Sequence, residues 1–232
     1  MRRLAIARDA DAYALRGGML VRSWLPQRRT RDIDLVCSLA FQPSDMRGRL
    51  RDVLATQLAD GVVFDAERFR VDTAHRDRAL KLFAVGRVDG AIAELTVDLT
   101  FELEVWPHVQ RSKLATARGA VTLWTCPPEL VIGTKLAVTA DLGRGKWRPK
   151  DLADLWLLTS RASTTVLGEA IERGFARARR DQAEARELFI TSWWCEPATA
   201  SRWVQFATRN PWVPIELEAV VARLHENLAR LT

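Results

Sequence analysis

The stretch "LRGGMLVRSWLPQRRTRDIDLV", residues 15–36, contains a glycine pair, a short apolar segment and two aspartates at the start of a second apolar run. Asp32 and Asp34 are followed directly by Leu35 and Val36, which predicts a buried strand that begins with acidic side chains. Because side chains two residues apart on a strand point the same way, both carboxylates are expected on one face. Like charges this close repel, and a cation between them offsets the repulsion. Oxygen ligands suit Mg²⁺, so the pair is either a metal site or a solvated strand end.

The glycine pair lies upstream, between a predicted strand at residues 13–16 and a predicted helix that begins at Met19 and ends at Pro26. Glycines let the backbone approach a phosphate group, and the first N–H groups of a helix bind anions. Gly17 and Gly18 are therefore a candidate phosphate-binding turn. The alternative is an ordinary turn without a ligand.

Further elements follow from the apolar pattern. Residues 43–60 predict a helix with Ser44 as its N-cap, closed by Gly61. The sequence "VDG" at residues 88–90 predicts a hairpin turn, followed by a strand that alternates apolar and acidic residues as far as Val105. Residues 120–125, "AVTLWT", predict a last short strand.

Asp98 lies in the middle of the alternating strand, between Val97 and Leu99. A third carboxylate beside an aspartate pair can share a metal ion and accept the proton of an attacking hydroxyl group. Asp98 is therefore the candidate general base. The alternative is that it belongs to a solvated acidic sheet face together with Glu94, Glu102 and Glu104.

From Pro127 onward the pattern predicts helices, so we expect two domains, residues 1–126 and 127–232. Helices are expected from residue 127 to a basic loop, "GRGKWRPK" at 143–150, then at 149–161, over 164–194 as one long helix, and twice within 198–231. Lys135 lies on an apolar helix face and is able to reach a phosphate group or to remain a surface lysine. Asp151 and Asp154 share a helix face, and Asp154 is able to hold Lys135 or a nucleotide hydroxyl group.

The basic loop is a candidate nucleic-acid contact, with Trp147 as a stacking aromatic. A solvated charged loop is the alternative. Its cations are Arg144, Lys146, Arg148 and Lys150.

The chain of 232 residues has a net charge of +6 and a pI near 9.8, which makes polyanions such as RNA and nucleotides plausible partners. Its 3 cysteines show no metal-ligand spacing. We expect no secretory signal and no membrane span, which predicts a cytoplasmic protein.

The motif R-x-T-x-D-I-D-L after a glycine turn and a helix resembles the opening motif of the AbiEii/AbiGii toxin family of nucleotidyltransferases. Its positions are filled by Arg28, Thr30, Asp32, Ile33, Asp34 and Leu35. The later stretch also resembles the family, which has a K-L helix, a basic loop and a K-D-x-x-D-L helix. Lys135, Lys150, Asp151, Asp154 and Leu155 fill those positions. Met19 departs from the family, which more often has a small residue or threonine after the glycines.

The resemblance implies an α/β (α+β) polymerase-beta-like nucleotidyltransferase domain with a mixed sheet, followed by a helical C-terminal domain that contributes to the active site. It implies a divalent metal, Mg²⁺ or Mn²⁺, and a nucleoside triphosphate donor. Asp32, Asp34 and Asp98 would hold the metal. The expected catalytic residues are these three with Lys135 and Asp154. The expected nucleotide contacts are Gly17, Gly18, Arg28, Thr30, Arg31, Lys135 and Asp151.

Family members act as toxins in toxin–antitoxin or phage-defence pairs, and some modify the 3′ end of tRNA. The leading expectation is therefore nucleotidyl transfer to RNA, with an antitoxin as a further partner. Two alternatives stay open, transfer to a protein or small-molecule acceptor, and a catalytically inactive binding protein.

Overall fold

The computed structural model describes residues 1–40, 42–74 and 79–230. The chain divides into two compact units, Met1–Cys126 and Pro127–Thr232. No helix in these described ranges is long and apolar enough to cross a membrane.

The first unit is built on a mixed sheet with the strand order β3-β4-β5-β2-β1-β7-β6. Its strands are β1 (Tyr13–Arg16), β2 (Asp32–Cys37), β3 (Val62–Ala74), β4 (Ala79–Val88), β5 (Ala91–Phe101), β6 (Gln110–Thr116) and β7 (Gly119–Thr125). The pairs β2–β5 and β1–β7 are parallel, and the other pairs are antiparallel. The predicted mixed sheet is confirmed, although β3 and β6 did not emerge from the sequence pattern.

The helices of the first unit are α1 (Arg2–Ala5), α2 (Gly17–Trp24) and α3 (Pro43–Ala55), with 3-10 turns at Ala10–Ala12 and Leu103–His108. The prediction that Ser44 caps α3 is wrong, because the helix begins at Pro43 and Gln42 occupies the N-cap position. The helix also ends at Ala55, so Leu58 lies outside it. Proline suits the first helical turn because it has no N–H group to leave unsatisfied.

The predicted hairpin between β4 and β5 is confirmed. Asp89 and Gly90 both have positive φ angles, 50° and 88°, as a two-residue hairpin turn requires. The prediction that β5 continues to Val105 is wrong, because the strand ends at Phe101 and a 3-10 turn follows. Glu102 and Glu104 therefore do not belong to a strand face.

The second unit is helical, as the sequence predicts. Its helices are α4 (Pro128–Lys146), α5 (Pro149–Thr159), α6 (Thr164–Ala178), α7 (Glu184–Glu187), α8 (Pro197–Thr208) and α9 (Leu217–Ala229), with a 3-10 turn at Ser192–Cys195. Helices α4 and α6 pack closely at two glycines. A Cβ atom on Gly133 would lie 2.1 Å from the Ala170 carbonyl oxygen, and one on Gly174 would lie 2.4 Å from the Gly133 carbonyl oxygen.

Two helix predictions in this unit are wrong. The stretch 143–150 is not a continuous loop, because helical structure extends to Lys146 across a break at Gly143, whose φ is 56°. The single helix expected over 164–194 ends at Ala178, since Arg179 adopts the left-handed conformation that terminates helices.

Candidate active site

Asp34 and Asp98 lie side by side on β2 and β5. The two strands are parallel, and Asp34 is the register partner of Asp98. Residues paired in this way project from the same face of a sheet, and neighbouring strands lie about 4.8 Å apart. Asp32, two residues before Asp34, pairs with Thr96 and is half-buried. The fold thus gathers the three predicted carboxylates at one face of two adjacent strands.

The glycine turn holds Asp34. Gly17 has a φ of 64°, in the left-handed region that favours glycine. The Gly18 N–H group donates a hydrogen bond to Oδ2 of Asp34 at 3.2 Å. A Cβ atom on Gly17 would lie 2.1 Å from that same oxygen, so any larger side chain would displace the carboxylate. Helix α2 begins at Gly17, two residues earlier than predicted.

Arg28 and Thr30 lie against the second glycine. A Cβ atom on Gly18 would lie 2.8 Å from the Thr30 hydroxyl oxygen and 3.6 Å from Nη2 of Arg28. Arg28 is buried, and its guanidinium donates to the Arg29 carbonyl, so it supports the loop before β2. Arg31 is exposed. The loop therefore offers a ligand an exposed cation at Arg31, while Arg28 is engaged by the protein.

Two cationic residues at this face were missed by sequence reasoning. Lys81 on β4 is the register partner of Asp98, and its Nζ lies 3.4 Å from Oδ1 of Asp98. Arg16 is the register partner of Asp34, but its Nη1 donates to Oε1 of the buried Glu102 at 2.6 Å. The hairpin turn could have revealed Lys81, because a two-residue turn at 89–90 pairs residue 88 with 91 and hence 81 with 98.

Lys135, Asp151 and Asp154 form a buried cluster in the second unit. The Lys135 ammonium lies 2.5 Å from Oδ1 of Asp151 and 2.9 Å from Oδ2 of Asp154. Burial works to lower the pKa of Lys135, but the charges of Asp154 and Asp151 together raise it above its ordinary value. Asp154 has an exposure of 0%, and its carboxylate is paired with the lysine.

The basic residues of the second unit occupy the end of α4 and the start of α5. The cations Arg144, Lys146, Arg148 and Lys150 are all exposed. The prediction that Trp147 stacks on a ligand is wrong for this structure. Trp147 is 2% exposed and packs against Trp193 and Trp194, with ring centroids at 6.3 and 5.2 Å.

The donor atoms at the β2–β5 face are carboxylate oxygens, which suit a hard divalent cation. Within residues 1–40, 42–74 and 79–230, no group of three His, Cys, Asp or Glu side chains is arranged to hold a metal ion. Asp34 is turned toward the Gly18 N–H group and Asp98 toward Lys81. Asp32, Asp34 and Asp98 fit the metal by chemistry and by register, while the side chains of Asp34 and Asp98 contact the Gly18 N–H group and Lys81 here.

Solved structures of other proteins share the fold of this chain. Two solved structures from Helicobacter pylori resemble the chain with a TM-score of 0.54 each. One, described as a candidate nucleotidyltransferase, is 14% identical and is matched over 100% of this chain and 92% of its own. The other, JHP933, is 13% identical over 99% and 88%. The TM-scores establish a shared fold.

None of the curated proteins compared with the chain matches it. The family model of the nucleotidyl transferase AbiEii toxin of type IV toxin–antitoxin systems matches residues 1–218. The glycine turn, the three aspartates of the sheet and the Lys135 cluster all lie within this matched range of the chain. The chain therefore belongs to the AbiEii nucleotidyltransferase toxin family.

Proposed function

We propose that the protein transfers a nucleoside monophosphate from a nucleoside triphosphate to an RNA acceptor, with the 3′ end of tRNA as the first candidate. The observation that carries the proposal is the placement of Asp34 and Asp98 in register on parallel strands, beneath the Gly17–Gly18 turn. Oxygen ligands converging beside a glycine turn suit a metal-bound triphosphate.

In this proposal Asp32, Asp34 and Asp98 hold a divalent cation, Mg²⁺ or Mn²⁺, which neutralises charge on the triphosphate when bound. Asp98 accepts the proton of the acceptor hydroxyl group. The hydroxyl oxygen forms a bond to the α-phosphorus, the bond between that phosphorus and the bridging oxygen breaks, and pyrophosphate leaves. The backbone N–H group of Gly17 and the exposed Arg31 bind phosphate oxygens, while the Gly18 N–H group holds the Asp34 carboxylate.

Lys135 is proposed to bind a phosphate oxygen of the substrate. An ammonium group has three N–H donors, and Asp151 and Asp154 use two of them. In this proposal the third donor binds the phosphate oxygen, and the two carboxylates hold the ammonium group in place. Asp151 and Asp154 are thus positioning residues.

The exposed cations at the α4–α5 junction support an RNA acceptor rather than a neutral one, since phosphate contacts from Lys and Arg dominate the affinity of proteins for nucleic acid. The net charge of +6 also favours a polyanionic acceptor such as RNA. Membership of a toxin family of toxin–antitoxin systems supplies the partner, an antitoxin, and the proposed outcome, growth arrest through modified tRNA.

The test is to incubate a lysate with the purified protein and each α-labelled nucleoside triphosphate in turn, then treat with ribonuclease or protease. Label that disappears with ribonuclease supports RNA, and label that disappears only with protease replaces it with a protein acceptor. Asp34→Asn should abolish labelling. The control Asp141→Asn changes an exposed carboxylate on α4 and should leave labelling intact. Labelling that persists in Asp34→Asn would contradict the proposed site.

A further inference from the structure

Lys81 is placed at the candidate active site by the hairpin that joins β4 and β5. The turn at Asp89 and Gly90 sets the register in which Lys81 faces Asp98. The ammonium nitrogen lies 3.4 Å from the Asp98 carboxylate, and the two side chains are 39% and 40% exposed. Lys81 is therefore an ion-pair partner of the proposed general base and remains accessible to a ligand.

The residues paired across the sheet at the level of Asp98 include other charged side chains, and these make ion pairs of their own. On the far side of Lys81, its other register partner, Asp72, is paired with Arg70 at 2.9 Å. On the far side of Asp34, Arg16 is engaged by Glu102. Among the cationic residues paired at this level of the sheet, Lys81 is the one whose described ion pair is with Asp98.

We propose that Lys81 occupies Asp98 as a built-in counter-ion in the metal-free protein and that a divalent cation has to displace it. This inference rests on the proposed function, since it takes Asp98 as a metal ligand. A divalent cation at Asp98 and the Lys81 ammonium repel each other, so the two cannot share the carboxylate without loss of affinity. Lys81 is then a positioning residue that weakens metal binding to the protein alone.

The nucleotide offers the displaced lysine a new anionic partner. A triphosphate is a polyanion, and the long, flexible lysine side chain can turn from Asp98 to a phosphate oxygen. Metal and nucleotide then favour each other's binding, and such coupling is reciprocal by thermodynamic necessity. The protein would accept its metal together with the nucleoside triphosphate rather than before it.

The experiment measures the dissociation constant of Mn²⁺ by electron paramagnetic resonance of the free ion, with and without a non-hydrolysable nucleoside triphosphate analogue. The full-length wild type is compared with Lys81→Met and Lys81→Arg. Without nucleotide, Lys81→Met should bind Mn²⁺ about 1.5- to fivefold more tightly, a range set by the strength of an exposed ion pair. The gain in Mn²⁺ affinity on adding nucleotide should shrink by a similar factor. Lys81→Arg, which keeps the charge, should resemble the wild type.

Lys113→Met is the matched control. Lys113 is an exposed lysine of β6, which β2, β1 and β7 separate from β5, so its loss should leave both constants unchanged. Unchanged or weaker Mn²⁺ binding by Lys81→Met would overturn the inference. Asp98→Asn separates this failure from that of the proposed function. If Asp98→Asn weakens Mn²⁺ binding while Lys81→Met has no effect, only the role of Lys81 is wrong. If Asp98→Asn leaves Mn²⁺ binding intact, the metal assignment itself is wrong.

Discussion

Gly17 and Asp34 are packed so closely that no side chain fits between them. The space a Cβ atom of Gly17 would take is 2.1 Å from Oδ2 of Asp34, and the next N–H group, that of Gly18, donates to the same oxygen. The turn therefore fixes the direction of the central carboxylate. A phosphate-binding role and this positioning role can coexist, because they use different groups of the same turn.

Gly17→Ala should reduce nucleotidyl transfer at least about a hundredfold, because it both displaces the Asp34 carboxylate and forces alanine into a positive φ, which costs about 1–2 kcal/mol. Steady-state kinetics and thermal unfolding measure the two effects separately. Gly90→Ala is the matched control, since Gly90 has a φ of 88° but nothing within 4 Å of the added Cβ. Equal losses of activity in both variants would show that backbone strain alone is responsible.

Asp98→Asn should abolish transfer without lowering stability. Removing one of two adjacent like charges relieves repulsion in the metal-free protein, while the lost ion pair with Lys81 is half-exposed and worth little. We expect the thermal midpoint to change by less than about 3 °C, which corresponds to at most about 1 kcal/mol for a protein of this size. Differential scanning fluorimetry beside a transfer assay tests this, and a large drop in midpoint would make Asp98 a structural residue.

Lys135→Met should destabilise the second unit by about 3–5 kcal/mol, because it leaves two buried carboxylates without their cation. Urea unfolding monitored by tryptophan fluorescence measures the change. Lys150→Met, which removes an exposed lysine, should change stability by less than about 0.5 kcal/mol.

The same cluster predicts a pH dependence. The pKa of Lys135 is raised in the folded protein, so its stabilising contribution is complete below the unfolded value of 10.5 and is lost as the pH rises through the higher folded value. The stability difference between the wild type and Lys135→Met should therefore be constant from pH 7 to about 9.5 and shrink in more alkaline solution. A difference that shrinks on acidification below pH 7 instead would indicate protonation of the carboxylates as the controlling event.

Neutralising Lys146 and Arg148 together, as Lys146→Gln with Arg148→Gln, should weaken RNA binding and reduce its salt dependence. Each lost phosphate contact lowers the slope of log K against log salt concentration by about 0.7 for a single strand. Fluorescence anisotropy over a range of KCl concentrations measures it. Arg209→Gln, an exposed arginine at the end of α8, is the control, and an equal effect there would mean a diffuse charge contribution.

Local sequence determined the elements that carry the chemistry. The Gly-Gly turn, the D-I-D-L-V strand and the V-D-G hairpin were all predictable, because each depends on backbone preferences and apolar alternation within a few residues. The early end of β5 and the break of the long helix at Arg179 were not predictable, since a 3-10 turn and a left-handed residue leave no periodic signal.

The tertiary structure alone decided which side chains meet. The parallel pairing of β2 with β5 brings Asp34 beside Asp98 although 63 residues separate them in the chain, and nothing local encodes that register. Likewise, only the fold shows that Trp147 packs in an aromatic cluster and that Lys135 contacts two aspartates. Burial of a side chain depends on segments that are distant in the sequence. The sequence by itself determined that carboxylates, glycines and cations of the right kind are present. Only the fold decided that Asp34 is held by a glycine turn and Asp98 by Lys81, because strand register and packing set distances that no local pattern contains.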